Sequence, residues 1–177
     1  WNPDVQPVGS SIVTALASSG GTVFVGGAFT TIGGAGRQSL AAIGPNGLAT
    51  SWSADVGGLV ECLSLSGTNL YLGGSFGLVG GQPRGNLAMV NSTTAAVSSW
   101  NPGANNFVLS IAAAGDTIYA GGFFTLAGGA ARRSLVALNA SGSVTPWVVN
   151  TDGVAYTIAA TRSNVYVGGD FTVANGV

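Results

Sequence analysis

The sequence predicts an all-β fold, a β-propeller of four-stranded antiparallel blades, on three observations. The first is a motif that returns four times. Phe24-Val25-Gly26-Gly27-Ala28-Phe29-Thr30 recurs as Tyr71-Leu72-Gly73-Gly74-Ser75-Phe76, as Tyr119-Ala120-Gly121-Gly122-Phe123-Phe124-Thr125 and as Tyr166-Val167-Gly168-Gly169-Asp170-Phe171-Thr172. The leading glycines stand at 26, 73, 121 and 168, so the spacings are 47, 48 and 47. A period held that closely is the signature of a repeat architecture. The second is run length: four to seven residues rich in Val, Ile, Leu and Tyr, bounded by Gly, Asn and Ser, as expected of strands. The third is that no 11-residue window keeps a helical period without an interrupting Gly.

Each repeat divides into four strands. The first is Ile12–Ala17, Val60–Leu65, Val108–Ala113 and Ala155–Ala160. It is rich in small residues (Ala15, Ala17, Ala112, Ala113, Ala159, Ala160), which suits the crowded innermost position. The second carries the aromatic-x-Gly-Gly motif. Gly26, Gly27, Gly73, Gly74, Gly121, Gly122, Gly168 and Gly169 admit either a bulge or the close approach of a neighbouring backbone or ring. A Gly-rich loop then leads to Arg37, Arg84 and Arg132, each eight residues after the Phe that ends the motif. The third strand is Leu40–Ile43, Leu87–Val90 and Leu135–Leu138. A turn (Gly44–Gly47, Asn91–Thr94, Asn139–Gly142) leads to the fourth, which runs into a Trp. Trp1, Trp52, Trp100 and Trp147 form that series, and the first repeat has four extra residues around Gln6 to Ser11.

Four strands per unit at this period fit a propeller blade, which must stack on its neighbours to bury its faces. A β-helix coil is shorter, and a Greek-key sandwich needs no such repeat. The expected units are 1–51, 52–99, 100–146 and a truncated 147–177, all within one repeat domain. Three blades are complete and the rest partial. The expectation is a segment of a longer propeller, or one completed by another chain, since a lone segment leaves an open sheet edge at each end.

Composition narrows function mainly by exclusion. There are five Arg, no Lys, six acids and no His, for a net charge of −1. Disordered chains are charge-rich and apolar-poor, and this one is the reverse. No basic footprint for nucleic acid exists. Without His there is no Ser–His–Asp triad and no His-ligated zinc. The single Cys62 forbids an intrachain disulfide, and its apolar neighbours Val60 and Leu63 predict a small buried core residue. No run approaches the roughly 18 apolar residues of a spanning helix, and the strands are too short for an outer-membrane barrel. A charged n-region followed by an apolar block is missing, so a secreted form would have lost its leader or carry it upstream.

Trp-Asn-Pro, the Val/Ile-x-Ala-Leu-Ala strand, Val-Tyr-Val-Gly-Gly-x-Phe-Thr, Ile-Gly-Gly-x-x-Arg and Leu-Ala-Ala-Ile together resemble the delta-60-type β-propeller repeat. That repeat belongs to large secreted or surface proteins and is of unknown function. The resemblance covers essentially the whole chain. It implies a propeller at the cell surface and says nearly nothing of activity. The second repeat departs from it, with Gly77 in place of the Thr and Ser53-Ala54 in place of Asn-Pro. The fourth ends at Ala174-Asn175-Gly176 and never reaches its Arg.

Candidate sites remain few. Propeller topology places Arg37, Arg84 and Arg132 on one face with Asp4 and Asp55. These side chains either ring a ligand or lock adjacent blades through Asp–Arg or Arg–Trp contacts. Their recurrence in successive blades favours the lock. Arg133 and Arg162 fall outside the series. The acids are Asp4, Asp55, Glu61, Asp116, Asp152 and Asp170. A glycosidase needs two of them facing across a cleft, and only Asp152 with Asp170 offers such a pair. Asn150-Thr151-Asp152-Gly153 reads as an Asx turn rather than a Ca²⁺ loop. Asn91 and Asn139 match N-x-[ST] at equivalent turns. They are glycan acceptors in a eukaryotic secreted protein and turn residues otherwise. The four Trp read as inter-blade core rather than a sugar-stacking surface. No catalytic residue, cofactor or metal is expected. The expected role is a non-enzymatic extracellular module for surface architecture, adhesion or self-assembly, its partners being other copies or further blades. The alternative is a carbohydrate- or ligand-binding propeller that meets surface glycans.

Overall fold

The structure is a computed structural model and describes residues 3–6 and 11–175. Trp1 and most of the extra loop of the first repeat lie outside the described residues. The fold is all-β. The first unit holds β1 (Val5–Gln6), β2 (Ile12–Ser19), β3 (Thr22–Ala28), β4 (Thr31–Ile32), β5 (Ala35–Gly36) and β6 (Leu40–Ile43). The second holds β7 (Val56–Ser66), β8 (Asn69–Val79), β9 (Gln82–Pro83) and β10 (Leu87–Asn91). The third holds β11 (Val108–Ala114), β12 (Thr117–Gly122), β13 (Leu126–Ala127), β14 (Ala130–Ala131) and β15 (Leu135–Asn139). The last holds β16 (Val154–Ala160) and β17 (Val165–Asp170).

Within each unit the strands pair as an antiparallel meander. The orders are β2-β3-β6, β7-β8-β10, β11-β12-β15 and β16-β17. The fourth strand expected before each Trp is reduced to one isolated bridge: Ile43 with Ala49, Val90 with Val97, Leu138 with Val144. The reason is local. The residue two before each Trp is Thr50, Ser98 or Thr145, and its hydroxyl accepts the Trp amide at 3.2, 3.1 and 3.3 Å. That turn draws the chain out of the ladder before it can extend.

The loop after each of the first three Phe motifs, expected as plain loop, holds a small hairpin. Gly33-Gly34, Gly80-Gly81 and Gly128-Gly129 all have positive φ, near 55 and 75°. Positive φ at both central residues is the requirement of a type I′ turn, and Gly-Gly meets it without strain. The hairpin pairs with the segment four residues past the preceding Trp. The partners are Val5 with Ile32, Val56 with Val79, Ala104 with Ala127 and Thr151 with Ala174.

The units pack through their first strands: β2 lies against β7, β7 against β11 and β11 against β16. The glycine pairs make this possible, and each glycine has its own task. A Cβ on Gly26 would sit 2.6 Å from Val60 Cγ1, and one on Gly73 2.6 Å from Val108 Cγ1, both in the following unit. The second glycine faces inward to its own sheet. A Cβ on Gly27, Gly74, Gly122 or Gly169 would fall on the carbonyl oxygen of Ile12, Leu59, Phe107 or Val154. The register of the first strand slips at that point in every unit, between Val13 and Ala15, Val60 and Cys62, Val108 and Ser110, Ala155 and Thr157. The first glycine therefore admits the neighbouring unit and the second admits a bulge. The core runs across the unit boundary. Phe24, Leu40 and Ala42 of the first unit share one buried cluster with Trp52, Val56, Val60, Leu70 and Leu72.

Substituting Gly74→Ala drives a methyl into the Leu59 carbonyl, whereas Gly77→Ala meets open space. Urea denaturation is expected to show a loss of about 1–3 kcal/mol for the first and little change for the second.

Candidate functional site

The polar residues singled out in the sequence gather where the Gly-rich loops meet the segments after each Trp. The three repeated arginines are anchored there by backbone carbonyls. Arg37 donates Nη1 to Gly36 O and Nη2 to Thr50 O, both at 2.6 Å. Arg84 repeats this with Pro83 O and Ser98 O at 2.6 Å, and adds Gln82 Oε1 at 3.0 Å. Arg132 donates to Ala131 O at 2.9 Å. The guanidinium thus ties its own loop to the residue two before Trp52 or Trp100. Asp55 lies beside this loop, but it accepts the Gln38 amide at 3.1 Å and the Ser53 hydroxyl at 3.2 Å. The Nε atoms of Arg37, Arg84 and Arg132 are buried without a protein partner.

Two residues beyond each of these arginines stands a left-handed residue that the sequence reading missed. Ser39, Asn86 and Ser134 have φ of 59, 63 and 62°. Their amides donate to Phe29 O, Phe76 O and Phe124 O at 3.0 Å, and their carbonyls accept Gly27, Gly74 and Gly122 N at 3.0–3.1 Å. The Phe, the second glycine and the Arg loop form one hydrogen-bonded corner. The constant Ser, Asn, Ser at this offset was the available signal, since Asn tolerates that region and Ser bonds locally.

A second tie spans the same face. Asn105 Oδ1 accepts Thr125 N at 2.9 Å and Leu126 N at 3.0 Å, while its Nδ2 donates to Thr125 Oγ1 at 2.9 Å. One repeat later Asp152 accepts Thr172 N at 2.8 Å, Thr172 Oγ1 at 2.5 Å and Val173 N at 3.0 Å. The corresponding positions of the second unit are Gly57 and Gly77, so both partners are missing together. There the ladder continues instead, with Gly57 opposite Leu78, and β7 and β8 each reach 11 residues. The Thr172 hydroxyl, then the Val173 and Thr172 amides, hold the Asp152 carboxyl well below its ordinary 3.8, at about 2. This carboxylate serves a turn: its described bonds go to Thr172 and Val173 and not to Asp170, which lies opposite Val154 in the β16–β17 ladder.

The tryptophans sit between units. Trp52 meets Phe24 edge-on at 5.2 Å and donates Nε1 to Asn91 O at 3.0 Å. Trp100 meets Tyr71 at 5.3 Å and donates to Asn139 O at 3.2 Å. Trp147 meets Tyr119 at 5.3 Å. Trp52 and Trp100 are buried, so neither ring is open for stacking on a sugar. Asn91 and Asn139 hold the turns that carry those acceptors. Asn91 Oδ1 takes the Thr93 and Thr94 amides at 2.9 Å. Asn139 Oδ1 takes Ser141 N at 3.0 Å, Ser141 Oγ at 2.7 Å and Ser143 N at 2.9 Å.

Cys62 occupies the register position of Ser110 and, like it, reaches the next unit. Its Sγ donates to Val108 O at 3.8 Å, and Ser110 Oγ accepts Ile158 N at 2.9 Å. Burial, then the Glu61 charge, push the thiol far up, which keeps it a neutral donor. Among the described residues no three His, Cys, Asp or Glu side chains gather as a metal site. No helix among them is long and apolar enough to cross a membrane. A cleft of about 570 Å³ opens beside Trp52 between the first two units, lined by Ser19, Thr22, Ser53, Ser92 and Thr93 among others.

No family model matches the chain, and no curated protein matches it. Solved structures do. The computationally designed Ika4 protein superposes with a TM-score of 0.60 at 14% identity, over 97% of this chain and 93% of that one. The Neurospora crassa Pan2 WD40 domain superposes with a TM-score of 0.51 at 10% identity, over 93% of this chain and 60% of that one. WD40 repeats form propeller blades, and the fold is accordingly β-propeller-like.

Arg84→Ala is expected to cost about 1–3 kcal/mol in urea denaturation, because the Ser98 and Pro83 carbonyls lose a charged donor. Arg84→Lys is expected to restore less than half of that, since one ammonium cannot span both oxygens. For Asp152 the folded carboxyl titrates below the unfolded one. Its stabilising contribution is therefore present above about pH 4 and lost as pH falls toward 2. Asp152→Asn, which copies Asn105, is expected to remove that part of the pH dependence in melting curves recorded between pH 2 and 5.

Proposed function

We propose that this chain is a non-enzymatic, extracellular propeller module, built of blades whose fourth strand is vestigial, that serves surface architecture or adhesion by self-assembly. One observation carries the reading. Apolar positions that are buried or half-buried in the interior units are open at the two ends. Leu16 is 63% exposed and Tyr166 62%, whereas the register equivalents Ile111 and Tyr71 are 6% and 5% exposed. Exposed apolar residues grouped on sheet faces mark association surfaces. The chemistry of the polar residues agrees with a structural role. Arg37, Arg84, Arg132, Asp55 and Asp152 spend their described bonds on backbone groups and on hydroxyl or amide side chains of these loops and the segments beside them. Low charge, absence of Lys and the resemblance to delta-60-type repeats support an extracellular setting.

A second reading rests on the hydroxyl-lined cleft beside Trp52. Neutral hydroxyls at the edge of an aromatic ring suit a carbohydrate ligand. Binding on a glycan array that Ser53→Trp abolishes would establish it in place of the first.

The assembly reading predicts a solution mass, by light scattering across micromolar concentrations, that is a multiple of the 17.3 kDa chain. A single-chain mass at every concentration overturns it.

A further inference from the structure

We infer that the open aromatic row Phe107, Phe123 and Tyr156 is a docking surface for a basic segment of a partner protein, bound in extended form with arginine side chains at alternate positions. The inference is independent of the assembly reading above and uses none of the residues on which that reading rests. Three large rings lie open beside one another. Phe107 is 48% exposed, Phe123 43% and Tyr156 47%. Phe107 and Phe123 meet edge to face with ring centroids 6.5 Å apart, and Phe123 meets Tyr156 of the next unit at 6.2 Å. Phe107 and Phe123 belong to the third unit, which has a neighbour on each side, since β11 packs against both β7 and β16. Both rings are therefore open although the flanking units are in place.

The fold does not require these rings. Phe123 follows the second glycine of its unit's pair, and the same place holds Ala28, Ser75 and Asp170 in the other units. Tyr156 is the bulged residue of β16, where the other first strands place Thr14, Glu61 and Leu109. Phe107 takes the place of Ile12, Leu59 and Val154. Positions that pack one unit on the next keep their residue type along the repeat, as the glycine pairs and the tryptophans do. Here the type changes in every unit, and at the boundary between the third and fourth it makes a continuous aromatic surface. Large apolar side chains left open as a group mark an interaction site.

Charge selects the occupant. The face of an aromatic ring is electronegative and attracts a cation. The charged residues at the equivalent positions of the neighbouring units are both acids: Asp170, exposed, in the fourth, and Glu61, half-buried, in the second. Asp170 lies opposite Val154 as Phe123 lies beside Phe107, whose carbonyl accepts its amide at 2.9 Å. The described ring contacts are among the three rings themselves, with no arginine between them. An aromatic row flanked by carboxylates complements a cationic partner. Because each ring is nearly half open, the row is a surface rather than a cage, and binding has to be built from several weak contacts side by side. Side chains on one side of an extended chain stand about 6.6 Å apart, close to the 6.5 and 6.2 Å between the ring centroids. Arginines at alternate positions thus meet successive rings, and the one nearest Asp170 gains a charge-assisted hydrogen bond.

The probe is a blocked Arg-Ser-Arg-Ser-Arg peptide, titrated with the 177-residue chain at about 0.15 M salt, where long-range attraction is screened. The expected result is a saturable upfield shift of the arginine Cδ protons in NMR spectra, the mark of a cation held over ring faces. Phe123→Ser copies Ser75 and Tyr156→Thr copies Thr14, so both are expected to keep the parent's melting curve. Each is expected to weaken binding by about 10-fold, and Asp170→Asn by about 3-fold. Leu48→Ser, at a residue that is 55% exposed outside the row, is expected to change nothing. The same peptide with citrulline in place of arginine, equal in shape but neutral, is expected to give no saturable shift. Equal binding of the citrulline peptide, undiminished binding by Phe123→Ser, or no saturable shift with the arginine peptide overturns the inference. A neutral oligosaccharide (maltohexaose) that binds where the arginine peptide does not, and loses binding in Phe123→Ser, overturns it in favour of a sugar-stacking row.

Discussion

The close approach of one unit's inner strand to the glycine pair of the preceding unit is the contact on which the rest of this fold depends. A single small sheet of two or three such strands buries too little to stand alone. Stacking becomes productive only where side chains from the next unit can enter. The leading glycine provides the hollow that Val60 and Val108 fill. The second glycine tolerates the bulge that aims those residues at the hollow. The tryptophan then covers the aromatic residue two positions before the hollow, and its indole N–H is satisfied by the next unit's turn. Hollow, bulge and cover are one device repeated.

The same logic explains why so few charges suffice. Each short segment leaves carbonyls and amides that no long ladder can satisfy. Side chains supply the missing partners: Arg37 and Arg84 to carbonyls before the Trp, Asn105 and Asp152 to amides after the Phe, Thr50 and Ser98 to the Trp amide. Where the second unit has Gly57 and Gly77, backbone pairing takes over and the strands lengthen.

Much of this was legible in the residues. The period, the strand runs and the placement of the Trp series all follow from side-chain size and spacing. The reading of the glycine pairs left a bulge and a close approach as alternatives, and the two glycines divide these between them. Other features escaped. The fourth strand reads as strand because Ala49, Val97 and Val144 are apolar. It ends after one bridge because the Thr or Ser that follows turns the chain toward Trp. The arginines read as a ligand ring or as a lock through Asp or Trp contacts, and the carbonyls of Thr50 and Ser98 that Arg37 and Arg84 reach are displayed by no sequence pattern. The Asn105–Thr125 and Asp152–Thr172 ties were announced only by their joint replacement with glycine in the second repeat.

By itself the sequence determined the all-β class, the four-fold repetition, and that this chain holds no histidine and no second cysteine for an internal disulfide. Those are properties of residue type and spacing, which are local. Tertiary structure decided which glycine faces a neighbour and which faces its own sheet. It also decided which carbonyls the arginines hold, and that Val13, Leu16 and Tyr166 lie open where their equivalents are buried or half-buried. These are questions of what stands opposite, and for residues about 47 positions apart only the packed arrangement of units supplies the answer.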